Sequence, residues 1–219
     1  MGLFKKNTRP ELPNFWKTYE ASFQEKPKYI WDRQQFVVLD TETTGFDFEE
    51  DRILCIGALL VQGQTILVKE SFEVYLLQER YNSETAEIHG ILKRGKLQKI
   101  PELEALKRLL IYLGNRIIVA HHTQFDITMI NRALRRHNLP QLKNKTLDTA
   151  ILYQRSLIKS KLLERKAHYS LDELADKFNI SKKDRHTAIG DAYITAIAFL
   201  KIVSKLKKKK DFALKPLLE

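Results

Sequence analysis

The stretch FVVLDTETTG, residues 36–45, sets the tightest constraint on what this chain can become. Phe36, Val37, Val38 and Leu39 form an uninterrupted apolar run that suits a strand covered on both faces. The run ends in two carboxylates, Asp40 and Glu42, followed by hydroxyls and a glycine. At i and i+2 on extended backbone, both acids point the same way. Like charges held side by side repel unless a proton or a cation is shared between them. The run therefore predicts a buried strand whose end needs a compensating partner.

With 219 residues, 43% hydrophobic and 30% charged, the chain reads as one main globular domain. No apolar run approaches the roughly 18 residues of a membrane span, and MGLFKKNTRP lacks the apolar core of a secretory signal. Lys6 stands where a myristoylation signal requires a hydroxyl residue. The expectation is a cytoplasmic protein with no membrane partner. Cys55, the sole cysteine, excludes an intrachain disulfide and reads as a core position. The net charge of +11 attracts polyanions, which makes nucleic acid the leading partner class. Part of that charge is the run KLKKKK at 205–210, which reads as a solvated helix end or frayed tail.

Phe15, Tyr19 and Phe23 recur every fourth position between Pro10, Pro13 and Pro27, predicting an appended helix within 1–35. Strands are expected at 36–40, 52–61 and 65–76, the last two joined by a turn at Gln62, Gly63 and Gln64. Short turns imply an antiparallel meander. A helix over 101–113, a strand IIVA, a helix over 125–137 and a strand at 146–148 follow. Helices near 149–158, 171–178 and 187–206 complete the pattern. That order predicts an α/β fold, a mixed five-stranded sheet with helices on both faces. It divides into an N-terminal helical extension (1–35), one domain (36–204) and a basic C-terminal tail (205–219).

Two further acids sit where elements begin. Asp126 follows IIVAHHTQF at the N-terminal end of a helix striped by Ile127, Ile130 and Leu134. Taken singly it reads as a helix-capping aspartate. Asp191 interrupts the apolar helix AYITAIAFLKIV near its start, where an ionised carboxylate needs a partner or a metal. His186 lies five residues earlier, an offset of roughly 140° on a helix, so it meets Asp191 only from a loop or ragged turn. Such a place would leave it mobile.

Together Asp40, Glu42, Asp126 and Asp191 offer hard oxygen ligands, which select Mg²⁺ or Mn²⁺ over zinc. Four negative charges balance two divalent ions, the arrangement that clamps attacking and leaving oxygens in phosphodiester hydrolysis. The segment GILKRGKL at 90–97 fails as a phosphate-binding loop, because Leu97 replaces the magnesium-holding hydroxyl.

VLDTETTG, VAHHTQFD and HTAIGDA, in that order, resemble the three motifs of the DEDDh family of 3′-to-5′ exonucleases. That family includes the proofreading epsilon subunit of bacterial DNA polymerase III, ribonuclease T and oligoribonuclease. The resemblance covers about 36–200 and implies a ribonuclease H-like fold, two-metal catalysis and removal of mononucleotides from 3′ ends. It carries the metal-ligand role to Asp40, Glu42, Asp126 and Asp191, and the general-base role to His186. In the related DEDDy group a tyrosine stands four residues before the last Asp, where this chain has Thr187. AEIHGI resembles the segment whose histidine lies against the terminal nucleotide, which makes His89 a substrate-contact candidate; its plain alternative is a surface-loop histidine. Thr43, Thr44 and Gly45 resemble the stretch whose backbone approaches that nucleotide, and Phe125 offers a stacking face or a core role. His122 and Thr123 depart from the family's usual Asn and Ala.

The expected function is a metal-dependent 3′-to-5′ exonuclease on single-stranded DNA, with proofreading or end trimming as its role. The alternatives are an RNA exonuclease, which turns on 2′-OH contacts, and a binding module without catalysis. Association with a DNA polymerase stays open. The short stretch DFALKPLLE after the last helix favours a free-standing enzyme over the epsilon-type arrangement with its long polymerase-binding extension.

Overall fold

A computed structural model describes residues 11–25, 29–92, 96–157, 166, 168–208 and 212–218. Pro10, Pro27, Lys209 and Lys210, and residues 93–95 of GILKRGKL, lie outside the described residues. In chain order the elements are α1 (Asn14–Ala21), β1 (Gln35–Thr43), β2 (Ile53–Gln62), β3 (Thr65–Leu76), α2 (Ser83–His89), β4 (Lys99–Ile100) and α3 (Glu102–Leu113). Then come β5 (Ile117–Ala120), α4 (Gln124–Arg136), β6 (Thr146–Asp148), α5 (Thr149–Ser156), α6 (Leu171–Phe178) and α7 (Ala188–Lys207). No helix among the described residues is long and apolar enough to cross a membrane.

The sheet has six strands in the order β4-β3-β2-β1-β5-β6, one more than the five expected. The addition is β4, whose two residues pair parallel with Tyr75 and Leu76 at the end of β3, too short to leave a pattern in sequence. β1, β2 and β3 form the antiparallel meander, while β5 pairs parallel with β1 and β6 with β5.

The apolar run of β1 is fully buried and feeds two cores. Phe36 and Val38 pack with residues of α5, α6 and α7, and Val37 and Leu39 with residues of α1, α3 and α4. Alternation along a strand produces this division, so helices cover both faces. Phe36, Trp31 and Phe199 meet as a ring cluster at centroid distances of 4.8 to 5.6 Å. Each such side chain stabilises the fold by about 1.5–3 kcal/mol through burial. Cys55 is buried in β2, which pushes its thiol well above the ordinary range.

The appended helix packs on the body. Trp16 is fully buried, and the Tyr19 hydroxyl donates to Asn144 Oδ1 (2.6 Å) while accepting from the Lys143 N–H (2.8 Å). At the other end, the tail boundary expected at 204/205 falls inside α7. Lys205 lies over the Phe178 ring (4.7 Å) and Lys207 over Trp31 (5.2 Å), while Leu214 and Leu218 are buried. The part of the lysine run inside α7 therefore lies against aromatic rings through its cations.

Candidate active site

The alternation that sorts the core also sorts the acids. If Phe36 and Val38 face α7, then Asp40 and Glu42 do too, and Thr41 faces α4. Asp191, in the first turn of α7, completes a triplet: carboxylate oxygens of Asp40, Glu42 and Asp191 lie within 4.8 Å of one another. Asp40 and Glu42 are half-buried and Asp191 is buried.

Two glycines allow this convergence. Gly57 on β2 pairs with Asp40, and a Cβ there would stand 2.3 Å from the backbone of Ala188 and Ile189. Only a residue without a side chain lets α7 descend onto the sheet beside Asp40. A Cβ at Gly190 would stand 1.9 Å from the Asp184 carbonyl, so the turn before α7 folds back against its first residues. Thr187 caps that helix, its hydroxyl accepting from the Gly190 N–H (3.1 Å).

Asp126 comes from the opposite face. β5 pairs with β1 only along Phe36, Val37 and Val38, and the chain then turns into α4, which brings Asp126 to the edge of β1. Its buried carboxylate accepts from the Thr41 hydroxyl (2.8 Å). Asp126 is not among the three acids whose oxygens converge, but its charge acts on Asp40. Asp148 holds the turn that delivers it, accepting from the Thr123 N–H (2.9 Å) and from the Ala150 N–H at the start of α5 (2.8 Å). Thr123 is thus spent on internal bonds, its hydroxyl also reaching the Leu147 carbonyl (2.8 Å), whereas His122 is exposed with φ of 59°.

His186 occupies an exposed turn ahead of α7, as the helix offset required, with φ of 64°. Its N–H donates to Asp191 Oδ2 (3.3 Å). The same oxygen accepts from Arg185, whose guanidinium also forks onto Asp172 with two bonds of 2.9 Å. Asp191 Oδ1 is buried and has no hydrogen-bond partner among the described residues.

Burial, then the charges of Asp126, Asp191 and Glu42, hold the Asp40 carboxyl well above the usual range, with Arg185 opposing. Glu42 is pushed up to about 7 by burial and by Asp191. Asp191 and Asp126 are raised by burial as well, against the hydrogen bonds from Arg185 and Thr41 respectively. Three converging acids driven toward neutrality, one with an orphaned buried oxygen, fit a hard divalent cation such as Mg²⁺ or Mn²⁺.

The softer candidates surround this cluster. The Thr43 and Thr44 hydroxyls turn inward, to the Gly45 carbonyl and to Asp51 Oδ1 (both 2.7 Å), and so fix the backbone that follows β1. His89 is buried at the end of α2, not in a surface loop; its Nδ1 accepts from the Ile91 N–H (3.0 Å), and burial lowers its pKa. Phe125 is half-buried beneath the rings of Phe46 (5.8 Å) and Phe48 (5.7 Å). Phe46 is 81% exposed. Sequence reasoning missed Phe46 and Phe48, though two aromatics spaced i and i+2 directly after Gly45 were a readable signal. It also missed Arg185, whose partners are set by tertiary structure.

The family model described as "Exonuclease", of the RNase T type, matches residues 37–199. A PolC-type DNA polymerase III of Thermotoga petrophila is 33% identical over 197 residues, covering 87% of this chain and 13% of the relative. The DNA polymerase III epsilon subunit of Aquifex aeolicus is 32% identical over 174 residues, covering 78% of this chain and 81% of the relative. The chain thus spans about an eighth of the PolC-type protein and most of the epsilon subunit. In structure it is similar to E. coli exonuclease I in complex with a dT13 oligonucleotide (TM-score 0.67, 16% identity, 80% of this chain and 42% of the other), a likeness of fold. The family match runs from β1 into α7 and takes in all three acid-bearing segments, so the chain belongs to the RNase T-type exonuclease family, of the DEDDh 3′-to-5′ kind.

Proposed function

We propose that this protein hydrolyses phosphodiester bonds at the 3′ ends of single-stranded DNA, releasing nucleoside 5′-monophosphates, in proofreading or end trimming. The observation that carries the reading is the convergence of Asp40, Glu42 and Asp191 with a buried Asp191 oxygen left unpartnered. In this reading those three acids and Asp126 hold two Mg²⁺ or Mn²⁺ ions. When bound, the ions supply Lewis-acid activation of water and neutralise phosphate charge.

His186 takes the proton from the attacking water, from a turn whose backbone is tied to Asp191. The backbone of Thr43, Thr44 and Gly45 approaches the terminal nucleotide with His89 behind it, and Phe46 and Phe48, backed by Phe125, offer faces for the bases of the strand. The net charge of +11 suits a polyanionic strand. The relatives carry DNA polymerase III names, which supports DNA over RNA and makes a polymerase the protein partner to test. The exonuclease domain is assigned to 35–207, from the start of β1 to the end of α7, with the stretch before it as a helical extension and the stretch after it as a basic end.

The test is digestion of matched 3′-ended DNA and RNA oligonucleotides with Mg²⁺, Mn²⁺ or Ca²⁺. Stepwise shortening of the DNA from its 3′ end with Mg²⁺ or Mn²⁺ is expected. Faster loss of RNA reverses the substrate assignment, and no shortening of either removes the reading.

A further inference from the structure

The three converging acids have one cation already beside them. Arg185 carries its guanidinium between Asp172 on α6 and Asp191 on α7, forked onto both Asp172 oxygens at 2.9 Å and bonded through Nη1 to Asp191 Oδ2. Its side chain is 16% exposed, so the charge sits in the wall of the site. Arg185 also acts on Asp40 and Glu42, opposing the effect of burial and neighbouring acids on both.

A guanidinium cannot be deprotonated in a protein, so this charge is permanent. The four acids carry four negative charges when ionised, and two divalent ions alone would balance them. Arg185 adds one positive charge and its partner Asp172 one negative, so the two divalent ions and Arg185 together balance the five acids. Arg185 sits closer to Asp191 than Asp172 does, so it and a divalent ion compete electrostatically for the converging acids.

Resting on the metal-binding reading above, we infer that Arg185 is a resident counter-charge, leashed by Asp172, that holds down the site's affinity for divalent ions while nucleic acid is absent. The leash matters because Asp172 and Asp191 share one guanidinium. Removing Asp172 leaves Arg185 with Asp191 as its partner, and removing Arg185 leaves Asp191 only the His186 N–H. The two changes break the same ion pair and push metal affinity in opposite directions.

The experiment is titration of the nucleic-acid-free full chain with Mn²⁺, followed by electron paramagnetic resonance and calorimetry, for wild type, Arg185→Gln, Arg185→Lys and Asp172→Asn. Arg185→Gln is expected to bind Mn²⁺ at least about tenfold more tightly than wild type, since a unit charge within several ångströms is worth more than that even when well screened. Arg185→Lys, which keeps the charge and loses the fork, should stay near wild type. Asp172→Asn should bind Mn²⁺ more weakly. If Arg185→Gln and Asp172→Asn both weaken binding, the clamp is only structural and the inference fails. It also fails if Arg185→Gln leaves affinity unchanged. Failure of the metal-binding reading looks different: wild type takes up no Mn²⁺, or Asp40→Asn binds it as tightly as wild type.

Discussion

Asp40 stands directly across the β1–β2 ladder from Gly57, and the side chain absent at Gly57 is the space through which the first turn of α7 reaches the sheet. The position of one acid on a strand and of another on the last helix thus depends on a residue that contributes no functional group. Gly57→Ala should force the backbone of Ala188 and Ile189 away, because neither is a flexible side-chain end. Overpacking of this kind costs about 1–3 kcal/mol. A lower urea midpoint together with weaker Mn²⁺ uptake is expected; a variant with wild-type values for both would show that α7 does not depend on this contact.

Without metal, the raised site acids should add stability as pH falls, while buried His89 and half-buried His121, whose pKa values burial lowers, act in the opposite sense. Glu42 is held at about 7 in the folded protein, above its value in the unfolded chain, so the folded state keeps a proton that the unfolded state releases. Stability from this source is complete below the unfolded pKa and is lost as pH rises through about 7, on the order of 3 kcal/mol in all. Relative to Glu42→Gln, melting temperatures in chelator should therefore drop between pH 5 and pH 8, and Mg²⁺ should remove most of the drop. Glu42→Gln should leave the metal-free protein at pH 8 at least as stable as wild type. A wild-type melting temperature that climbs with pH relative to that of Glu42→Gln contradicts this.

His186→Ala should reduce turnover by roughly 10² to 10⁴ while metal and strand affinities change little. The ring stands on an exposed turn, and its link to Asp191 runs through the backbone N–H, which alanine retains. Asp191→Asn is expected to differ by weakening metal binding itself. Near-normal turnover in His186→Ala, or metal loss equal to that of Asp191→Asn, takes the base role away from His186.

Phe46→Ala should weaken binding of single strands by about 1–3 kcal/mol, the usual contribution of one base stacked on a ring. Phe46 is largely exposed, and its ring contact is with Phe125, so the fold should be little affected. Fluorescence anisotropy on a labelled oligonucleotide, paired with a thermal melt, separates the two effects. Unchanged strand affinity with an unchanged melt excludes Phe46 from the substrate surface.

Much of this architecture was legible because long elements carry periodic signals. The strand 65–76 and the helix 171–178 coincide with β3 and α6, and β1 runs past its expected end at 40 to Thr43. α2 was missed because SETAEIH has no apolar stripe and its start is set by one side chain, Asn82, accepting from the Glu84 N–H (2.9 Å). Asp126 was placed correctly at the head of a helix, yet its approach from the face opposite Asp40 follows from how β5 ends, which no local spacing encodes. Arg185 was invisible for a similar reason. Its fork closes on Asp172, thirteen positions away on another helix, and nothing in KKDRHTAIG marks that partner.

The place of α7 in the chain has a consequence for biosynthesis. Asp40 emerges early and Asp191 about 150 residues later, on the last long helix, so the acids can meet only once nearly the whole domain has been made and that helix has docked on β1 and β2. A nascent chain carrying the first strands holds half a site and no means of positioning the rest.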